Sequence, residues 1–280
     1  MRWHRRRWWL AAGLIALALL ALASLAIGSR PVPPATVLAA LRAYDPGNDL
    51  HLVVWQLRVP RLVTAVLAGA ALGLAGAIMQ AVTRNALAEP GLLGINAGAA
   101  VAVLLGVTLL GLTRPIHYVG LAALGAGLAG AAVFLLGRAH ETGTNPVRLV
   151  LAGAGLSIVL GAITGIMVIN ASPIAFDTFR HWAAGSVEGA SVEAAVVLAV
   201  GVAAGFGVAL SIVGGLNVLA LGQELGQALG ATPRTIWLFA CLAVMLLAGA
   251  ATAAAGPIGF VGLIDRQSTR LNSSHESPSR

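Results

Sequence analysis

Residues 84–98 read RNALAEPGLLGINAG, a polar and turn-rich stretch set between two long runs of Ala, Gly, Leu, Val and Ile. A plain connecting loop needs no such mixture of Arg, Asn, Glu, Pro and Gly, so its meaning depends on the runs that flank it. The run before it (62–82) and the run after it (94–112) each reach the roughly 20 residues that cross a hydrocarbon core. The same pattern recurs at 8–28, 116–136, 149–169, 192–213 and 235–255. The chain therefore reads as all-α, a polytopic transmembrane helical bundle with seven complete spans. GPIGFVGLI (256–264) starts an eighth, which makes 1–264 one membrane domain.

Composition agrees. The 280 residues are 58% hydrophobic and 10% charged, where a soluble domain carries about 25% charged residues. The net charge of +7 does not point to nucleic acid. Arg2, Arg5, Arg6 and Arg7 precede the first span, where a basic cluster holds the N-terminus in the cytoplasm. No basic stripe interleaved with aromatics follows. ALA at 21–23 also matches a signal-peptidase site, but the further spans favour a first transmembrane helix.

From a cytoplasmic N-terminus, odd spans run outward and even spans inward. RNALAEPGLLG, GRAHETGTNPVR and LNVLALGQELGQALGATPR then fall inside. The segment from Arg30 to about Val59, TRPIH and SPIAFDTFRHWAAGSVEGA fall outside, the first of these as an extracytoplasmic loop.

The chain has no lysine, so it lacks the GK[ST] of a phosphate loop, and any ATP energy must come from another polypeptide. Cys241 is the single cysteine and reads as a small hydrophobe. The six histidines show no metal-ligand spacing; neither a metal nor a cofactor is expected. The spans hold no Asp, Lys or Arg, and Glu193 stands at one mouth. Ion-coupled carriers normally place ionisable groups inside the membrane, so this inventory argues against one. Gln80, Asn96, Ser157, Thr164 and Asn170 are left to line a path or to join helices.

Small residues four apart, Gly69/Gly73, Gly161/Gly165 and Gly201/Gly205, are expected to let helix backbones approach. AGAALGLAGAI (68–78) and AGAATAAAGPI (248–258) echo one another, as inverted repeats do in transporters.

In LNVLALGQELGQALG (216–230), Leu221, Leu225 and Leu229 recur every fourth residue, with Gln223, Glu224 and Gln227 opposite. Gly222, Gly226 and Gly230 are expected to divide it into short helices. Without basic residues it suits a groove on a partner protein better than a lipid surface. Arg58 and Arg61 flank VP before the second span, placed either to snorkel to headgroups or to meet carboxylates of an outside partner.

Taken together, LRVPRLVTAVLAGAALGLAGAIMQAVTRNALAEPGLLGINAGAA, RLVLAGAGLS, WAAGSVEGAS, LNVLALGQELGQALG and AGPIGFVGLI resemble the permease subunit of bacterial ABC importers for iron–siderophores, haem and cobalamin. The resemblance runs from about Leu57 to Ile264. It implies a bacterial cytoplasmic-membrane protein with about ten helices, and a second permease subunit around a central path. It also implies a cytoplasmic ABC ATPase dimer, an extracytoplasmic substrate-binding protein, and a ferric siderophore as cargo, with cobalamin or haem as alternatives. Carried over by position, Asn85 and Leu87 resemble the cytoplasmic gate, and Arg58 and Arg61 the contacts to the binding protein. Asn217 to Gly230, including Leu221, Gln223, Glu224, Leu225 and Leu229, resembles the coupling helices that receive ATPase movement. Family members continue past GFVGLI with further helices. DRQSTRLNSSHESPSR (265–280) is therefore expected to be a non-family polar tail, disordered or foreign, with the last helices missing. An ion-coupled secondary carrier and a membrane scaffold are the readings from other classes.

Overall fold

A computed structural model describes residues 2–112, 114–137, 146–220, 223–228, 230 and 232–259, with side chains given outside 2–6, 115, 146, 220 and 223–225. Every element among them is helical. The expected tail and most of the eighth span lie outside the described residues.

Helix α1 (Arg2–Ala26) is followed by α2 (Pro34–Arg42) and the short α3 (Asp49–Leu52), capped by Asn48 Oδ1, which accepts from the Leu50 amide at 3.0 Å. A π-turn (Val53–Arg58) then leads into α4 (Val59–Thr83). The expected loop from Arg30 to Val59 is thus mostly helical, and the second span becomes a helix of 35 residues, Asp49–Thr83. After a 3₁₀ turn (Pro90–Leu93) come α5 (Ile95–Leu110), α6 (Pro115–Leu136), α7 (Pro146–Ile169) and α8 (Pro173–Ala183). The remaining helices are α9 (Val192–Ala220), α10 (Gln223–Ala228) and α11 (Pro233–Ala255). Prolines open α2, α6, α7, α8 and α11, where the missing N–H costs nothing and the fixed φ suits the first turn.

Among the described residues, six helices are long and apolar enough to cross a membrane. The expected span at 94–112 is present as α5, but its 16 residues make a helix of roughly 24 Å at 1.5 Å per residue. It is a short core helix, packed against α6, α7, α8 and α11.

The hub is α11, which packs on α4, α5, α6 and α9. The two echoing segments meet there. Ala68, Ala71 and Ala75 of α4 and their counterparts Ala248, Ala251 and Ala255 of α11 are all buried, on two helices that pack together. The small-residue pairs divide. A Cβ at Gly201 or Gly205 would overlap Ala250 or Leu247 of α11, so this pair does admit a close helix. Gly69, Gly73, Gly161 and Gly165 face open space. Another close glycine crossing was not among the expected pairs: Gly98 of α5 and Gly125 of α6 lie against each other's carbonyls.

A second, smaller core joins Leu25, Val32, Val37, Ala40 and Val54 where α1 ends. Trp55 Nε1 donates to the Ala40 carbonyl at 2.7 Å and ties α2 to the π-turn.

Candidate functional site

The stretch 84–94 forms a rigid corner between α4 and α5. Arg84 ends α4 in the left-handed region, φ 51°, an uncommon state for a residue with a side chain. Asn85 Oδ1 accepts from the Leu87 amide at 2.9 Å, and its carbonyl accepts from Ala88 at 3.1 Å, a side-chain-stabilised turn. Glu89 is extended; Pro90 starts the 3₁₀ turn, and Gly94, at φ 69°, makes the reversal that launches α5. Ala88 and Leu93 are buried, which anchors the corner, while Asn85 and Leu87 are exposed, Leu87 at 64%.

Three contacts fasten this corner to the rest of the bundle. Leu92 lays its carbonyl against Gly153 of α7, where any Cβ would overlap it. At the start of α5, Asn96 Oδ1 accepts from Thr252 Oγ1 of α11 at 2.8 Å. The Arg84 guanidinium donates to the carbonyl of Leu219, in the last turn of α9. Burial pushes the Glu89 carboxyl above its ordinary value. Gly153, Asn96, Thr252 and Arg84 were not singled out as fastening points of this corner by sequence; Asn96 alone was noted, as a polar residue beside a span.

The Arg84 contact brings the corner to the region expected to couple to an ATPase. Asn217 is exposed near the end of α9. Gln223, Glu224 and Leu225 lie on α10, with side chains outside the described residues, and Leu221 and Leu229 lie outside them altogether. Gly226 does not divide the segment: it sits within α10, beside Leu219. Gly230 supplies the stop, at φ 83°.

At the other end of α4, Arg58 and Arg61 have different surroundings. Arg58 is buried, 9% exposed, and donates to the carbonyls of Leu25 and Arg30, so it staples the end of α1 rather than projecting outward. Arg61 is exposed and donates to the Glu188 carbonyl at 2.9 Å, in the connection between α8 and α9. That connection is joined to α11 through the Ser186 amide and the Ala255 carbonyl, 2.8 Å apart.

These features agree with the comparisons to known proteins. The chain is 40% identical over 238 residues to the ferric enterobactin transport system permease protein FepD of Escherichia coli, covering 85% of this chain and 70% of FepD. It is 36% identical to the Fe(3+)-citrate import system permease protein YfmD of Bacillus subtilis, covering 78% and 64% of the two chains. It is 35% identical to the iron(3+)-hydroxamate import system permease protein FhuB of the same organism, covering 94% and 68%. The chain thus spans about two thirds of the length of these relatives. A solved metal-chelate type ABC transporter in an inward-facing conformation superposes with a TM-score of 0.76 at 25% identity, covering 92% of this chain and 79% of that one. The model of the FecCD transport family matches residues 16–276, and with an all-helical membrane bundle of this architecture the chain belongs to that family.

Proposed function

We propose that the chain is the membrane-spanning permease subunit of a binding-protein-dependent ABC importer that carries ferric siderophore across the bacterial cytoplasmic membrane. It performs no covalent chemistry. Separate ATPase subunits drive it through alternating access, with a second permease subunit completing the path and the N-terminus in the cytoplasm. The names of the relatives support iron chelates as the cargo, and the missing lysine supports an ATPase on another chain.

The observation that carries the mechanism is the Arg84–Leu219 contact, which joins the corner 84–94 to the end of α9 and hence to α10. Movement received at Asn217–Gly230 reaches Asn85 and Leu87 through this contact. The corner itself is stiff, held by turn hydrogen bonds, Pro90 and the glycines, so it shifts as a body and opens or closes the path. Arg61 engages a carboxylate of the binding protein, and Arg58 holds α1 against the π-turn beside it.

The test is uptake of radiolabelled ferric siderophore by proteoliposomes containing the full importer. Uptake should require ATP and the binding protein and survive a proton uncoupler. Substitutions of Asn85 and Leu87 should raise passive leak or cut flux; unchanged flux and leak would remove the gate from this position.

A further inference from the structure

A cleft of about 520 Å³ opens between α1 and the start of α4. Its walls are apolar: Leu17 and Leu20 from α1, and Leu57, Leu62 and Val66 from the opposite helix. At one end stand three guanidinium-bearing residues, Arg30, Arg58 and Arg61, with Ser24 and Ser29. Among the described residues, no carboxylate lines the cleft. The Arg30 side chain is exposed and has no hydrogen bond or ion pair among the described residues. The end of α1, where these groups cluster, is a membrane–water boundary by the length of the helix.

We propose that this cleft is a binding site for one anionic phospholipid. An acyl chain lies along Leu17, Leu20, Leu62 and Val66, while the phosphate meets Arg30 in the positive field of Arg58 and Arg61. Charge decides the occupant. A neutral lipid would leave the exposed Arg30 cation at the boundary without a counter-charge, whereas a phosphodiester supplies one and accepts hydrogen bonds from its guanidinium. An apolar peptide would fill the walls but would not answer the arginines. The bound lipid would act as a wedge holding α1, which otherwise has little buried surface, against the bundle. This site goes beyond the transport reading and does not depend on it.

The experiment is native mass spectrometry of the detergent-purified full chain with phosphatidylglycerol or phosphatidylcholine of identical acyl chains. One phosphatidylglycerol should bind about tenfold more tightly than phosphatidylcholine, the order expected when an unpaired Arg30, beside two further arginines, meets an anionic headgroup. Arg30→Gln keeps the backbone carbonyl that Arg58 uses, and should weaken phosphatidylglycerol about fivefold while leaving phosphatidylcholine unchanged. Ala65→Trp, which fills the cleft from its exposed edge, should remove the single tight site with helical content unchanged by circular dichroism. Inorganic phosphate at millimolar concentration should not displace the lipid. Equal affinity for the two lipids, indifference to Arg30→Gln or to Ala65→Trp, or displacement by inorganic phosphate would each overturn the proposal.

Discussion

The guanidinium of Arg84 reaches the backbone carbonyl of Leu219, a residue 135 positions later in the chain. Late carbonyls of a helix lack an intrahelical donor, and their partial negative charge attracts a cation. One side chain therefore completes α9 and fastens the corner after α4 in a single contact. Arg84→Gln should lower ATP-driven uptake about tenfold, on the scale of a lost charged hydrogen bond, while the ATPase subunits keep turning over. Uptake that falls in step with ATP hydrolysis would refute a coupling role.

The backbone at Arg84 can be separated from its side chain. Arg84→Gly and Arg84→Ala both lose the guanidinium, but only glycine is at ease at φ 51°. Arg84→Gly should be more stable than Arg84→Ala by about 1 kcal/mol, measured by thermal unfolding in detergent.

Gly153 and Gly161 offer a matched pair on α7. Gly153→Ala drives a methyl into the Leu92 carbonyl, whereas Gly161→Ala meets open space. The first should lose about 2 kcal/mol by overpacking. The second should be neutral or slightly more stable, through helix propensity. Unfolding of the purified variants side by side would decide it.

Thr252→Val keeps the shape of a buried side chain but removes its bond to Asn96. The loss should be about 1 kcal/mol, within the range for polar contacts between membrane helices. A double-mutant cycle with Asn96→Leu should recover that coupling; additive losses would show that the pair is not energetically linked.

Glu89 gives a pH dependence whose sign follows from its burial. Its carboxyl holds a proton more tightly in the folded corner than in the unfolded chain, whose ordinary value is 4.5. The stabilising contribution is fully present below 4.5 and is lost as pH rises through the elevated folded value. The unfolding temperature should decline across that window, and Glu89→Gln should flatten the decline by removing the titrating group.

The membrane class was legible because a run of apolar residues has few alternatives once it exceeds the length of a core helix. The corner at 84–94 was legible too, since polar and turn-forming residues there interrupt two such runs. The segment 30–59 was not. Its prolines and carboxylates resemble a loop, yet Val37, Ala40 and Val54 bury themselves with Leu25 and Val32 to make a second core. The spacing of Val37 and Ala40 and the opening Pro34 were the available signals. Arg58 and Arg61 look alike in sequence; only folding shows that one turns inward to α1 and the other faces out. The contacts Arg84–Leu219 and Asn96–Thr252 join residues 135 and 156 positions apart, which no local pattern specifies.

The π-turn at Val53–Arg58 acts as a phase shifter. At its start Val54 packs into the small core; beyond it Ala68 and Ala71 pack into the large core that α11 shares. Each residue added to or removed from a helix rotates everything on one side by about 100°. Deleting a single residue here would restore an ordinary winding and swing the α1–α2 unit off its seat without touching one of its own side chains.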